Sequence, residues 1–157
     1  ADLVMALRDV AIDDETLWGD DLFIVSPHHA QIRLIRQELR DRAEWDREPF
    51  VDTVDKMQGQ ERDAVIVSYG VSDVEHALRE KEFIYQLNRL NVSITRARSK
   101  TIVFMSRTLL EPPIQALDVP HVADGIAYMQ GLMHWIERGG EVIETTQDGE
   151  RLTTYQR

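Results

Sequence analysis

The chain has 157 residues, of which 43% are hydrophobic, and carries 18 basic and 28 acidic side chains for a formal charge of −10. This length suffices for one domain with a substantial core. The absence of cysteine excludes disulfides and thiolate metal sites, and no apolar run reaches the roughly 18 residues of a membrane span. Because nucleic-acid binders usually neutralise phosphates with a basic surface, any such contact here has to be local. We expect a soluble, cytoplasmic protein without a membrane segment.

The first part of the chain predicts a helix, a buried strand and a second helix. Apolar residues recur at helical spacing over residues 2–10, and the acidic stretch DDETLWGDD then predicts a loop. The continuous apolar run at residues 22–26 predicts a buried strand. In the segment that follows, Ile32, Ile35 and Leu39 recur at steps of three and four and predict an amphipathic helix.

The middle of the chain alternates strand and helix patterns. The segment PFVDTV predicts a strand, DKMQGQERD a polar loop, and AVIVSYG a second strand rich in β-branched residues. A charged, mobile stretch at SDVEHALREKE is expected before a helix over residues 86–98 and a strand over residues 100–106. Strands that alternate with helices favour an α/β fold, in which a mostly parallel sheet is covered by helices on both faces.

The C-terminal part predicts one more helix and a hairpin. A helical pattern over residues 122–137 ends at the pair Gly139 and Gly140. Residues 141–155 have the alternation of a β-hairpin, with Asp148 and Gly149 in its turn.

Positive charge is concentrated at the end of the predicted helix 86–98, in the sequence LNVSITRARSK. Arg89 and Arg96 are seven residues apart and share one face, whereas Arg98 lies about 200° from Arg96 around a helix. The three arginines therefore cannot all serve one site. The buried face is expected to consist of the apolar positions Leu87, Leu90, Ile94 and Ala97. Taken alone, this pattern also fits a solvated basic stripe.

Ligands of doubly wound sheets lie beyond the carboxyl ends of the strands, so SPHHAQ and DKMQGQE, which follow two predicted strands, are loops of interest. Gly59 offers a flexible backbone position there, although an ordinary polar loop needs one too. The adjacent side chains of His28 and His29 diverge without an evident third ligand, and the acids of VAIDDE follow a run of helical period. No metal site is predicted. The sequence also lacks the phosphate-binding G-x-x-x-x-G-K-[ST] motif.

Three segments carry a family resemblance. IVSPHHAQIRLI, FVDTVDKMQGQERDAVIVS and RLNVSITRARSKTIVF resemble, in order and spacing, motifs IV, V and VI of superfamily 1 helicases, in the branch of the nonsense-mediated-decay helicase. The resemblance covers residues 22–106. It implies a RecA-like fold of the P-loop NTPase type and the second motor domain of an ATP-dependent helicase or translocase. The first RecA-like domain, which holds the P-loop and the Mg²⁺-binding acids, is outside this sequence.

The resemblance also implies roles for individual residues. Arg96 matches the arginine finger that reaches the γ-phosphate of ATP, and Arg33 is a second candidate for that phosphate. The remaining matches are nucleotide-binding positions, Gln58, Gly59 and Glu61, and positions that contact nucleic acid or couple it to the nucleotide, Ser26, His28, Thr53 and Asp55. His28 stands where this branch usually has tyrosine.

The implied ligand is ATP with Mg²⁺, held mainly by the first RecA-like domain. The implied partners are that first domain and single-stranded DNA or RNA. Residues 1–110 would form the motor domain. Residues 111–157 match no helicase motif and would form a helix-and-hairpin extension of the same domain. Alone, the chain is expected not to hydrolyse ATP. Two alternatives remain open: a non-catalytic binding or scaffold module that keeps the fold, and a helicase fused to a nuclease.

Overall fold

The computed structural model describes residues 1–8, 11, 12, 15, 16, 21–45, 47–57, 59–147 and 150–156. The α-helices in these ranges are α1 (Asp2–Arg8), α2 (His29–Arg42), α3 (Val74–Arg79), α4 (Lys81–Ile84), α5 (Leu87–Ile94), α6 (Arg107–Leu110) and α7 (Pro120–Gly139). The strands are β1 (Ala11–Ile12), β2 (Glu15–Thr16), β3 (Leu22–Val25), β4 (Phe50–Asp52), β5 (Arg62–Ser68), β6 (Ala97–Phe104), β7 (Glu141–Gln147) and β8 (Glu150–Gln156). Short 3-10 helices occupy Val54–Met57 and Ile114–Asp118.

The central sheet is parallel, with strand order β4-β3-β5-β6. Its inner strand β3 is buried on both faces, and Ile24 pairs with Val51 on one side and with Ile66 on the other. A strand buried on both faces needs a continuous apolar run rather than an alternating one, which is why LFIV and AVIV mark β3 and β5 in the sequence. The predicted α/β fold is confirmed.

Helices cover both faces of this sheet, as predicted. Ile24 and Ile66 pack on one face with α1 and with Ile32 and Leu39 of α2. Alternate residues, such as Phe23, pack on the other face, where the core includes side chains of α4, α5 and α7: Ile84, Leu90, Val122, Ile126 and Met129. Residues beyond position 110 therefore contribute to the core on this face of the sheet.

The C-terminal helix and hairpin are also as predicted. Pro120 occupies the first turn of α7, where its missing N–H costs no hydrogen bond. An ideal Cβ built at Gly125 would overlap the carbonyl oxygen of Tyr85, so the glycine permits close packing of α7 on the end of α4. Strands β7 and β8 pair antiparallel from Glu141↔Gln156 to Gln147↔Glu150. The predicted turn residues Asp148 and Gly149 lie outside the described residues.

The helix predicted over residues 86–98 is wrong at its C-terminal end. Helix α5 stops at Ile94, Arg96 lies in a turn, and Arg98 belongs to β6. Pairing of Ala97 with Arg62 draws this segment into the sheet, where β6 gains ladder hydrogen bonds that outweigh local helix propensity. Arg96 and Arg98 are thus separated by a strand boundary rather than by rotation around one helix.

Two stretches expected to be irregular contain regular structure. The charged stretch at residues 72–82 includes α3 and the start of α4; Asp73 caps α3 by accepting a hydrogen bond from the N–H of His76, at 2.7 Å. The loop after β4 includes a 3-10 helix in which Met57 is fully buried. Burial of single apolar side chains orders both stretches although their composition is polar. Within the described part of the chain, no helix has the length and apolarity that a bilayer crossing requires.

Candidate functional site

The residues singled out in the sequence lie at the two opposite ends of the parallel strands. We call these the carboxyl edge and the amino edge of the sheet, after the strand ends that they contain. Ser26 and Thr53 directly follow the carboxyl ends of β3 and β4. Gly59 and Glu61 precede the amino end of β5, and Arg96 precedes that of its parallel neighbour β6. Of the two loops singled out in the sequence, SPHHAQ follows the carboxyl end of β3, whereas DKMQGQE begins beyond the carboxyl end of β4 and ends before the amino end of β5. Because β4 and β5 are parallel, the segment 53–61 has to run from one edge to the other.

At the amino edge, the turn that carries Arg96 lies beside the segment leading into β5. The main-chain N–H of Arg62 donates to the carbonyl oxygen of Arg96 at 3.0 Å. Arg96 is half-buried, and its Nε is fully buried without a hydrogen-bond partner among the described residues. Gly59, three residues before Arg62, has a φ of +78° and no atom within 4 Å of an ideal Cβ, so this turn is open around the glycine.

Arg98 has different surroundings from Arg96. Its guanidinium lies 3.9 Å from a carboxylate oxygen of Glu61 and 3.5 Å from one of Asp63, and 59% of its side chain is exposed. These are surface ion pairs, which contribute little to stability. The position of Arg98 fits a role on the surface of the sheet.

Sequence reasoning missed Arg62, which holds the segment before β5 in place. Its Nη1 donates to the carbonyl oxygen of Glu61 at 2.8 Å, and its Nη2 donates to Oε1 of Gln60 at 3.2 Å. The guanidinium also lies 4.5 Å from the centroid of the Phe23 ring. The signal that could have found it is a basic residue at the first position of an apolar, buried strand.

At the carboxyl edge, a small cleft is partly open to solvent. Buried Ser26 is one of its lining residues, and its Oγ accepts a hydrogen bond from the N–H of His28 at 3.4 Å. The polar and aromatic side chains that line the cleft are Ser26, Thr53, Tyr69, Phe83, Arg89 and Ser93.

Arg89 is the second residue that sequence reasoning left without a role, since only its helical face was noted. Its guanidinium carbon lies 4.1 Å from the centroid of Phe83, and Nη2 lies 3.3 Å from Oδ2 of Asp55. Asp55, predicted to couple the two ligand sites, thus connects the segment after β4 to helix α5. The spacing of these residues in the sequence could not reveal the pair.

His28 lies behind the cleft in an aromatic cluster. Its ring centroid is 5.4 Å from that of His76 and 6.0 Å from that of Phe83. Burial lowers the pKa of His28 below 6.5, the nearby His76 lowers it further, and Glu80 opposes the shift. Burial and His76 thus disfavour the charged form of His28, and the Nε2 of its ring is buried without a partner among the described residues.

Arg33 lies apart from Arg96. It is exposed on α2, one turn before Arg36, whose Nη2 donates to Oδ2 of Asp52 at 3.2 Å, at the carboxyl end of β4. The structure therefore does not bring the two candidate γ-phosphate arginines together. Gln58 lies outside the described residues. Where side chains are described, no three metal-ligating residues cluster.

Residues 1–108 match the protein family described as AAA domain, AAA_12. The chain belongs to this family. This AAA domain is 40% identical over 82 residues to the DNA polymerase alpha-associated DNA helicase A of Schizosaccharomyces pombe, which covers 52% of this chain and 12% of that protein. It is 26% identical over 139 residues to the DNA-binding protein SMUBP-2 of Rattus norvegicus, covering 88% of this chain and 12% of the relative.

A third relative is the DNA replication ATP-dependent helicase/nuclease DNA2 of Mus musculus, 33% identical over 99 residues, which are 62% of this chain and 9% of that protein. The AAA domain thus spans about a tenth of the length of these relatives. Together the matches confirm the predicted membership in the superfamily 1 helicases, as a second RecA-like domain. In this AAA domain, the segments that resemble motifs V and VI both extend between the two edges of the sheet.

Proposed function

We propose that this AAA domain is the second motor domain of an ATP-dependent helicase or translocase. It meets the nucleotide at the amino edge of its sheet and single-stranded nucleic acid at the carboxyl edge. The observation that carries the proposal is the buried, unpartnered Nε of Arg96, in a turn whose carbonyl oxygen accepts a hydrogen bond from the main-chain N–H of Arg62 at the amino end of β5. The remaining parts of the nucleotide site, and the Mg²⁺ ligands, belong to the first RecA-like domain.

Arg96 suits an arginine finger for a physical reason. Its buried Nε has no partner among the described residues, and its side chain is only half-buried, so its terminal Nη groups remain available to an anion that arrives from another domain. A phosphate is such an anion, and the planar fork of the guanidinium matches its oxygens. Arginine fingers increase phosphoryl-transfer rates by about 10³ to 10⁵ because they stabilise negative charge in the transition state.

The segment before β5 would bind the nucleotide next to the finger. Glu61 contributes a carboxylate that can accept hydrogen bonds from ribose hydroxyls, and Gly59 allows the backbone to approach closely. Arg62 orients this segment through the carbonyl oxygen of Glu61, while its own N–H binds the turn of Arg96. The two nucleotide-facing elements are therefore fixed to each other before any ligand arrives.

At the carboxyl edge, Thr53 and the turn built by Ser26 and His28 would contact the sugar–phosphate backbone. Hydroxyl and main-chain N–H groups bind phosphates without adding charge, which is consistent with a chain of formal charge −10. Contacts of this kind fix the position of the nucleic-acid strand but do not recognise its base sequence. Residues 1–110 with helix α7, which contributes to the core, would act as one unit of the motor.

The proposal is tested by Arg96→Ala in the full-length protein that contains this domain, with Arg79→Ala, at an exposed position on α3, as the control. Both variants lose one arginine. We expect ATP turnover to fall by about 10³-fold or more in Arg96→Ala and by less than about threefold in Arg79→Ala. Normal turnover in a folded Arg96→Ala protein would overturn the assignment.

A further inference from the structure

We propose that Arg89 binds a phosphodiester of single-stranded nucleic acid in the carboxyl-edge cleft, and that Asp55 occupies Arg89 while the strand is absent. This proposal rests on the proposed function, which places nucleic acid at that edge, and adds to it a ligand-binding residue and a switch. The evidence is the placement of one cation between an aromatic ring and an exposed carboxylate, in a cleft that the hydroxyl side chains of Ser26, Thr53 and Ser93 also line.

The guanidinium of Arg89 is preorganised and has donors to spare. Phe83 lies 4.1 Å from its central carbon and fixes the orientation of the group. Asp55 approaches Nη2 alone, at 3.3 Å, whereas a guanidinium has five N–H donors. The remaining donors can address a phosphate oxygen in the cleft, and little side-chain entropy is lost because the ring already restricts the arginine.

The ion pair with Asp55 is weak enough to be exchanged. The Asp55 side chain is 62% exposed, against 29% for Arg89, so water screens the carboxylate. A phosphodiester carries the same single negative charge and offers two unesterified oxygens. Exchange of one anion for the other therefore leaves the cleft neutralised, and the freed carboxylate is hydrated at small cost.

Both partners of the pair belong to elements that reach the nucleotide edge. Asp55 lies in the 3-10 helix Val54–Met57, from which the chain continues to Gly59 and Glu61. Arg89 lies on α5, which ends directly before the turn of Arg96. When a phosphodiester replaces Asp55 at Arg89, the segment after β4 is released from α5. The binding of a nucleic-acid strand at the carboxyl edge is thereby transmitted to the amino edge, where the nucleotide binds.

The test measures the affinity of this chain for short fluorescein-labelled oligo-dT and oligo-U by fluorescence anisotropy at low salt. The variants are Arg89→Ala, Arg89→Lys, Asp55→Asn and the combination Arg89→Ala with Asp55→Asn. Glu75→Gln, an exposed acid on the neighbouring helix α3, is the charge-matched control for Asp55→Asn. Thermal unfolding followed by circular dichroism verifies that each variant is folded.

The exchange predicts opposite effects for the two partners. Arg89→Ala weakens binding about 10-fold and lowers the slope of log affinity against log salt by about 0.7, the contribution of one phosphate contact. Arg89→Lys weakens binding about threefold because the charge stays but the fork is lost. Asp55→Asn tightens binding about threefold, since a competing carboxylate is removed, and this gain disappears in the double variant. Glu75→Gln changes affinity by less than about twofold.

Other results overturn the proposal. If Asp55→Asn weakens binding as Arg89→Ala does, the pair only holds the structure together. If the parent chain binds an oligonucleotide and folded Arg89→Ala binds it equally well, the subsite is wrong while the proposed function stands. If the parent chain binds neither oligonucleotide, the nucleic-acid half of the proposed function fails with it, whereas the Arg96 test of ATP turnover is unaffected. The ratio of the two parent affinities identifies DNA or RNA as the source of the phosphodiester.

Discussion

The N–H of Arg62 and the carbonyl oxygen of Arg96, 3.0 Å apart, join the amino ends of β5 and β6. The register then shifts, because Arg62 pairs with Ala97 whereas Ala64 pairs with Lys100, so β6 holds one extra residue at its start. Such a bulge re-aims the residues beside it. Arg96 and Arg98 consequently occupy different environments although one residue separates them.

The side chain of Arg62 is expected to stabilise the fold as well as the site. Arg62→Ala removes its contact with the Phe23 ring and two hydrogen bonds, and should lower the free energy of unfolding by about 1–2 kcal/mol. Urea denaturation measures this loss. Arg79→Ala, at an exposed position on α3, should stay within about 0.5 kcal/mol of the parent chain. Equal effects for the two variants would contradict the assigned contacts.

Two glycines of α7 should respond in opposite ways to the same substitution. At Gly125 an added Cβ would overlap the main chain of Tyr85, so Gly125→Ala should destabilise the protein by about 2–3 kcal/mol. At Gly131 no atom lies within 4 Å of the added Cβ, and Gly131→Ala should stabilise by up to about 1 kcal/mol through helix propensity. Urea denaturation of both variants tests this contrast, and a stable Gly125→Ala chain would show that α7 packs differently.

Gly59 is needed for its left-handed backbone conformation, since the surroundings leave room for a larger side chain. Gly59→Ala should cost about 1 kcal/mol of stability because φ is +78°, although the Cβ meets no atom within 4 Å. Gly59→Asn should cost less, since asparagine tolerates this conformation better than alanine. Thermal unfolding compares the two. A neutral alanine variant would mean that the turn adopts another conformation.

The pKa of His28 should connect pH to stability. Because the folded pKa lies below the value of 6.5, the native state binds fewer protons than the unfolded chain. The free energy of unfolding should therefore decrease as the pH falls from 6.5 towards the folded pKa. It should be fully recovered when the pH is raised above 6.5 again. Histidine ring resonances in an NMR titration should show the low midpoint.

His76→Gln isolates one cause of that shift. It removes the charge that disfavours protonated His28 but leaves the burial, which is the larger cause, and the attraction of Glu80. The midpoint of His28 should rise towards 6.5 without reaching it, and the loss of stability in acid should become smaller. An unchanged midpoint would exclude His76 as a cause.

Much of the fold could be predicted because local patterns agree with tertiary burial. The runs LFIV and AVIV are long enough and apolar enough to be strands covered on both faces, and β3 and β5 occupy the inner positions of the sheet. The helix boundary at residue 94 could not be predicted. Residues 95–98 fit a helix locally, and only pairing with Arg62 makes the strand more stable for Ala97.

For the candidate site too, some features could be predicted from the sequence and others depend on the tertiary structure. By itself, the sequence determined the α/β architecture, the C-terminal helix and hairpin, and the helicase family, because burial periodicity and motif spacing are properties of the chain. Only the tertiary structure decided that Thr53 and Arg96 lie at opposite edges of the sheet, that Arg62 holds the turn of Arg96, and that Arg89 meets Asp55 and Phe83. These relationships depend on strand direction, register and helix packing, which bring together residues that no local pattern connects.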